Sequence, residues 1–164
     1  MKFPILLEDF KVDASMARNF AETAWGRGGT QAKASNTVGA YFFSCSAHGG
    51  WVVDGRIFSP QELSNIKNYI SPAGMRVVVG TSFDGKKYIL GYANPNSMKK
   101  KKINYNSLQF RDAQWEDYPL FMFEEDEDWA ILEYFTPIRL RGFNSSEHDT
   151  AVLNTFTRLS TRRK

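Results

Sequence analysis

Cysteine is almost absent from these 164 residues: Cys45 stands alone, so no disulfide can close within the chain. Nothing in the sequence calls for an oxidising compartment, which makes the cytoplasm the expected location. Histidine is nearly as scarce, with only His48 and His148. Paired-cysteine zinc spacing is missing, and so is a nucleophile motif of the Gly-x-Ser-x-Gly kind. Gly26-Arg27-Gly28-Gly29 lacks the Lys-Ser/Thr pair of a phosphate-binding loop. No apolar stretch approaches the ~20 residues of a membrane span. The run at Phe3-Pro4-Ile5-Leu6-Leu7 is too short for a signal peptide. There is no internal repeat and no low-complexity linker. The formal charge of +3 is mildly basic, which permits nucleic-acid contact without requiring it.

Aromatic residues, by contrast, are plentiful: thirteen Phe, seven Tyr and four Trp give the chain large groups to bury, unlike a disordered one. The length suits a single domain, residues 1–164, with a sizeable core. Asp13 predicts a capped helix over 14–24 with Met16, Phe20 and Ala24 on one face, ended by Gly26. Residues 27–37 read as loop or edge strand. Val38 to Ser46, apolar on both faces, predicts a buried strand, and His48-Gly49-Gly50 turns it into a second, Trp51 to Ile57. Ser59-Pro60-Gln61-Glu62 is a capping-box helix start, with Leu63, Ile66 and Ile70 as the inward stripe and Pro72 as the stop. Met75 to Ser82 and Lys86 to Tyr92 predict a hairpin around Asp84-Gly85. A further strand is expected over Lys101 to Phe110. The apolar run Leu120-Phe121-Met122-Phe123 precedes an acidic helix start at Glu124, with Trp129 inward and Glu127 exposed. A last helix is expected over Ser146 to Thr161, facing inward with Val152, Phe156 and Leu159. The sum is an α+β fold: a mainly antiparallel sheet of about five strands covered by three to four helices.

Three blocks carry a resemblance. Trp25-Gly26, Ser46-Ala47-His48-Gly49-Gly50 and Glu124-Glu125-Asp126-Glu127-Asp128-Trp129-Ala130 resemble, in this order, a domain-of-unknown-function family of phages, plasmids and other mobile elements. The family pattern is Trp-Gly, then Ser-x-His-Gly-Gly, then Glu-Glu-Asp-Cys-Asp-Trp-Ala, and the similarity spans about residues 24–135. Glu127 stands where the family often has Cys, so a mechanism needing that thiol does not carry over. The resemblance implies a mobile-element origin and, by analogy, a protein that interferes with host machinery. It also implies that His48 and the 124–128 segment are neighbours in space.

Two charge clusters complete the reading. Glu124, Glu125, Asp126, Glu127 and Asp128 are the densest acids. His48 with Glu124 and Asp128 could hold a hard divalent cation and cut a phosphodiester. The simpler reading makes His48 a turn residue and the acids a helix-dipole or docking feature. Lys99, Lys100, Lys101 and Lys102 would attract phosphate or an acidic protein face, or merely block an edge strand. Arg111, at the end of the expected returning strand, could join Lys86 and Lys87 in a second small basic patch. No complete catalytic set and no cofactor motif is present. The leading expectation is a non-enzymatic accessory protein of the host-cell cytoplasm. It would bind and inhibit a host defence or nucleic-acid-processing assembly, of anti-CRISPR or anti-restriction type. Its partner would be a host protein or ribonucleoprotein, met through Lys99–Lys102 and Glu124–Glu127. A metal-dependent nuclease and a nucleic-acid-binding accessory protein are the alternatives.

Overall fold

The computed structural model describes residues 5–6, 12–46, 48–70, 75–81, 87–93 and 120–162. In chain order the elements are β1 (Ile5–Leu6), α1 (Ala14–Trp25), β2 (Thr30–Lys33), β3 (Ala40–Ser44), β4 (Gly49–Asp54), a 3-10 turn (Gly55–Ile57), α2 (Pro60–Ile70), β5 (Met75–Thr81), β6 (Lys87–Ala93), β7 (Leu120–Glu124), α3 (Trp129–Phe135) and α4 (Ser146–Arg162). The strands form one sheet in the order β1-β6-β5-β7-β4-β3-β2, and every pairing is antiparallel. The expected α+β architecture is therefore present, with seven described strands where about five were expected.

Period-two alternation sorts the central strands into two faces. Tyr41 and Phe43 of β3, Val52 of β4, and Leu120 and Met122 of β7 point one way, onto Ala17, Ala21 and Trp25 of α1. Ala40, Trp51, Val53, Phe121 and Phe123 point the other way, onto Ile66 of α2, Ile131 and Leu132 of α3, and Leu159 of α4. The sheet is thus sandwiched between helices. Trp51, Phe121 and Phe123 are essentially inaccessible at its centre.

The helix starts follow local chemistry. Asp13 Oδ1 accepts from Met16 N–H at 2.8 Å, and Gly26 ends α1 with φ 123°. The capping box at α2 is closed both ways. Ser59 Oγ accepts from Glu62 N–H at 3.1 Å, and Glu62 Oε1 accepts from Ser59 N–H at 2.9 Å. Along α2, Ile66 is fully buried and Leu63 and Tyr69 pack at the margin of the same core. In α4, Val152, Thr155 and Leu159 are buried and Phe156 only partly so.

Several expectations are corrected. The buried strand expected over Val38 to Ser46 is shorter, Ala40–Ser44, and Val38 is 86% exposed. The second strand stops at Asp54, whose side chain accepts from Arg56 N–H at 2.9 Å, so residues 55–57 coil into a 3-10 turn. Residues 120–123 are no prelude to a helix: they form the body of β7, a strand paired with β4 on one side and β5 on the other. A strand buried on both faces is apolar at every position, as is a short buried helix, and only its distant partners decide between them. Glu124 ends that strand, and α3 begins five residues later, at Trp129. Trp129 is only half-buried at the core margin, and Glu127 is half-buried and ion-paired with Arg162. The expected strand at 101–110, the Asp84-Gly85 turn and the lysine run 99–102 lie outside the described residues. Among the described residues no helix is long and apolar enough to cross a membrane.

Candidate functional site

The pairing of β4 with β7 brings two of the sequence blocks together. Gly50 lies in register with Glu124, and Gly49 O accepts from Glu125 N–H at 2.8 Å. Glycine is required here by close approach. A Cβ on Gly49 would lie 2.2 Å from Phe43 O, and one on Gly50, whose φ is 151°, would lie 2.0 Å from Phe123 O. His48 is therefore beside the acidic segment, as expected. Its carbonyl closes the turn by accepting from Cys45 N–H at 2.9 Å, while its exposed ring makes no hydrogen bond among the described residues.

The acids at this end differ from one another. Burial, then the charges of Asp126 and Asp128, raises the Glu124 carboxyl above the ordinary carboxylate range, and nearby His48 opposes that rise. Glu127 is paired with Arg162. Glu125 and Asp126 have no basic partner among the described residues, and both line a pocket of about 420 Å³. His48, Glu124 and Asp128 do not converge as a ligand set. Among the described residues no group of three or more His, Cys, Asp or Glu side chains is arranged to hold a metal ion.

The pocket's remaining walls come from four separate segments: Phe42 of β3, Trp129 and Glu133 of α3, Leu140 and Phe143 of the connecting loop, and His148 of α4. The loop is held by the far edge of the sheet. Ala34 bridges to Leu140, and Ser35 N–H donates to Arg139 O at 2.8 Å. Ser145 Oγ accepts from His148 N–H at 3.2 Å and so fixes the histidine in the first turn of α4. Its ring lies 5.7 Å from Trp129 and 5.2 Å from Phe143, centroid to centroid.

Glu133 organises this region. It is 5% exposed, a charge that burial would penalise unless it were satisfied. Its Oε2 accepts from the fully buried Trp51 indole N–H at 3.2 Å, and its Oε1 lies 2.7 Å from His148 Nε2. Arg139 Nε stands 3.7 Å from the same oxygen, and Arg139 also reaches Asp149 at 3.3 Å. Sequence reading placed a histidine near the start of the last helix but gave no role to Glu133, Arg139 or His148. The available signal was a glutamate inside the inward arc of α3, one turn after Trp129. It becomes informative only once Trp51 and His148 are seen to meet it.

Chemically, the site pairs an aromatic wall with carboxylates, and its imidazole is oriented by a buried carboxylate. No lining residue carries a hydroxyl, a thiol or a permanent positive charge. The arrangement suits cation binding more directly than covalent catalysis. Comparison with protein-family models, with curated proteins and with solved structures finds no match to this chain.

Proposed function

We propose that this chain is a non-catalytic interaction protein that docks on a partner through the acidic, aromatic-lined end of its sheet. The observation that carries this reading is the pair Glu125 and Asp126, uncompensated by any described basic group and set at the rim of a formed pocket. Uncompensated charge beside a shaped cavity favours rapid, oriented docking. The resemblance in the three sequence blocks supports a mobile-element origin and hence a host defence or nucleic-acid-processing assembly, such as a CRISPR effector or a restriction enzyme, as the partner. The lysines at 99–102 would supply a second contact of opposite sign.

The test is interference in cells. Expression in strains carrying restriction or CRISPR systems should raise the survival of incoming plasmid or phage DNA against at least one system. Glu125→Lys together with Asp126→Lys should remove that protection while the protein stays folded. Unchanged DNA survival across such strains, or full protection by the reversed variant, would refute the reading.

A second reading has its own observation. A histidine held by a buried glutamate is also how a general base is oriented. The pair that could serve is His148 with Glu133, whereas the sequence had pointed to His48. It would activate water, since no hydroxyl or thiol lines the pocket. Esterase or phosphodiesterase turnover abolished by His148→Ala, with folding intact, would favour it over docking.

A further inference from the structure

We infer that the pocket between β3, α3 and α4 receives an arginine side chain of the partner protein. This inference rests on the docking reading and gives it a ligand.

The lining contains three carboxylates, Glu125, Asp126 and Glu133, and no lysine or arginine. Glu133 is engaged by His148 and Arg139 within the protein. Glu125 and Asp126 are left to meet a cation from outside. A hydrated metal ion does not fit the case, because no described group of three ligands converges. The aromatic lining narrows the cation further. Phe42, Trp129 and Phe143 line the open depression, and Phe143 keeps 48% of its surface exposed although it is large and apolar. A guanidinium is planar and weakly hydrated. It stacks on aromatic faces while presenting a fork of N–H donors to carboxylates. An ammonium is compact and strongly hydrated and uses such walls less well. The volume, about 420 Å³, is at the lower end of the range for small-molecule sites and ample for one side chain.

The chain is also built to keep this space formed. His148 is held edge-on to Phe143 and tilted against Trp129, with its Nε2 tied to the Glu133 carboxylate. Arg139 approaches the same Glu133 oxygen at 3.7 Å and donates to the Thr136 and Ile138 carbonyls at 3.1 and 2.9 Å. A pre-formed site loses less entropy on binding than one that must be ordered.

Titration with N-acetyl-arginine amide, followed through the indole N–H signals of the four tryptophans, tests the inference. The Trp129 signal, assigned with Trp129→Phe, should shift saturably. The neutral isostere N-acetyl-citrulline amide should bind at least about tenfold more weakly, and N-acetyl-lysine amide should also be weaker. Glu125→Gln with Asp126→Asn, at unchanged thermal midpoint, should lose the response. A flat Trp129 signal, equal binding of the citrulline compound, or an unaltered response in the double variant would overturn the inference. Those failures are separable from failure of the docking reading. If charge reversal at 125 and 126 still abolished protection in cells, the surface would stand and only its arginine ligand would fall.

Discussion

Glu133 shows how one residue can be both a cost and an organiser. A carboxylate at the sheet–helix boundary is tolerable because Trp51, His148 and Arg139 all meet it. Glu133→Ala would strand the buried Trp51 indole N–H and take from His148 its carboxylate partner, while Arg139 keeps Asp149 and two backbone carbonyls. Breaking a buried network from one side is expensive, so we expect a loss of about 3 kcal/mol in urea unfolding. A loss within experimental error would show that the network contributes nothing net. Glu124 behaves in the opposite sense. Its pKa is raised in the folded protein, so the folded state holds this proton more tightly than the unfolded chain does. Stability from this group is then present at low pH and falls as pH rises from the ordinary glutamate range through the raised value. Glu124→Gln should therefore raise the melting temperature at pH 7, with the gain vanishing near pH 4 (where the carboxyl is already protonated). A variant that melts lower at pH 7 would contradict the assignment.

Among the elements, helix boundaries are set by contacts three or four residues apart, and these were readable in advance. Ser59 and Glu62 close their capping box as the spacing requires. Ser59→Ala should cost about 1 kcal/mol in thermal or urea unfolding. Strands β4 and β7 are different, because each is defined by the other. Gly50 is the tight point: its φ of 151° and the close approach of Phe123 O leave no room for a Cβ. Gly50→Ala should cost about 2 kcal/mol or more and should perturb the chemical shifts of Trp51 and Phe123 together. A variant as stable as the parent would mean that the strand pair tolerates the added carbon. The turn at 125–128 follows from this pairing, since β7 must end where β4 begins, at Gly49 and Gly50. That is why five consecutive acids became strand end, pocket rim and turn and did not form one helical face.

At the scale of the whole molecule, the two core clusters share the same strands. Val52 and Met122 serve the α1 side, while Trp51 and Phe123 serve the side of α2, α3 and α4. Loss of the strand ladder would therefore dismantle both clusters at once. Tryptophan fluorescence and far-ultraviolet circular dichroism should therefore report coincident unfolding transitions. Two separated midpoints would show that the layers melt independently. What depends on near neighbours was legible in the residues alone: the α1 and α2 caps, a buried strand (expected over Val38 to Ser46, found at Ala40–Ser44), the place of the last helix, and the α+β class. The resemblance of its blocks to one family also implied that His48 and the acids would be neighbours, and the β4–β7 pairing brings them together. That Leu120–Phe123 is a central strand follows from its pairing with β4 and β5, since an apolar run carries no period until partners flank it. The joining of Phe42, Glu133 and His148 into one pocket likewise needs the assembled fold. The physical reason is the same for both. Caps and turns are fixed by hydrogen bonds within one local segment, whereas a pocket and a buried charge are fixed by segments about a hundred residues apart, which meet only when the sheet has chosen its strand order.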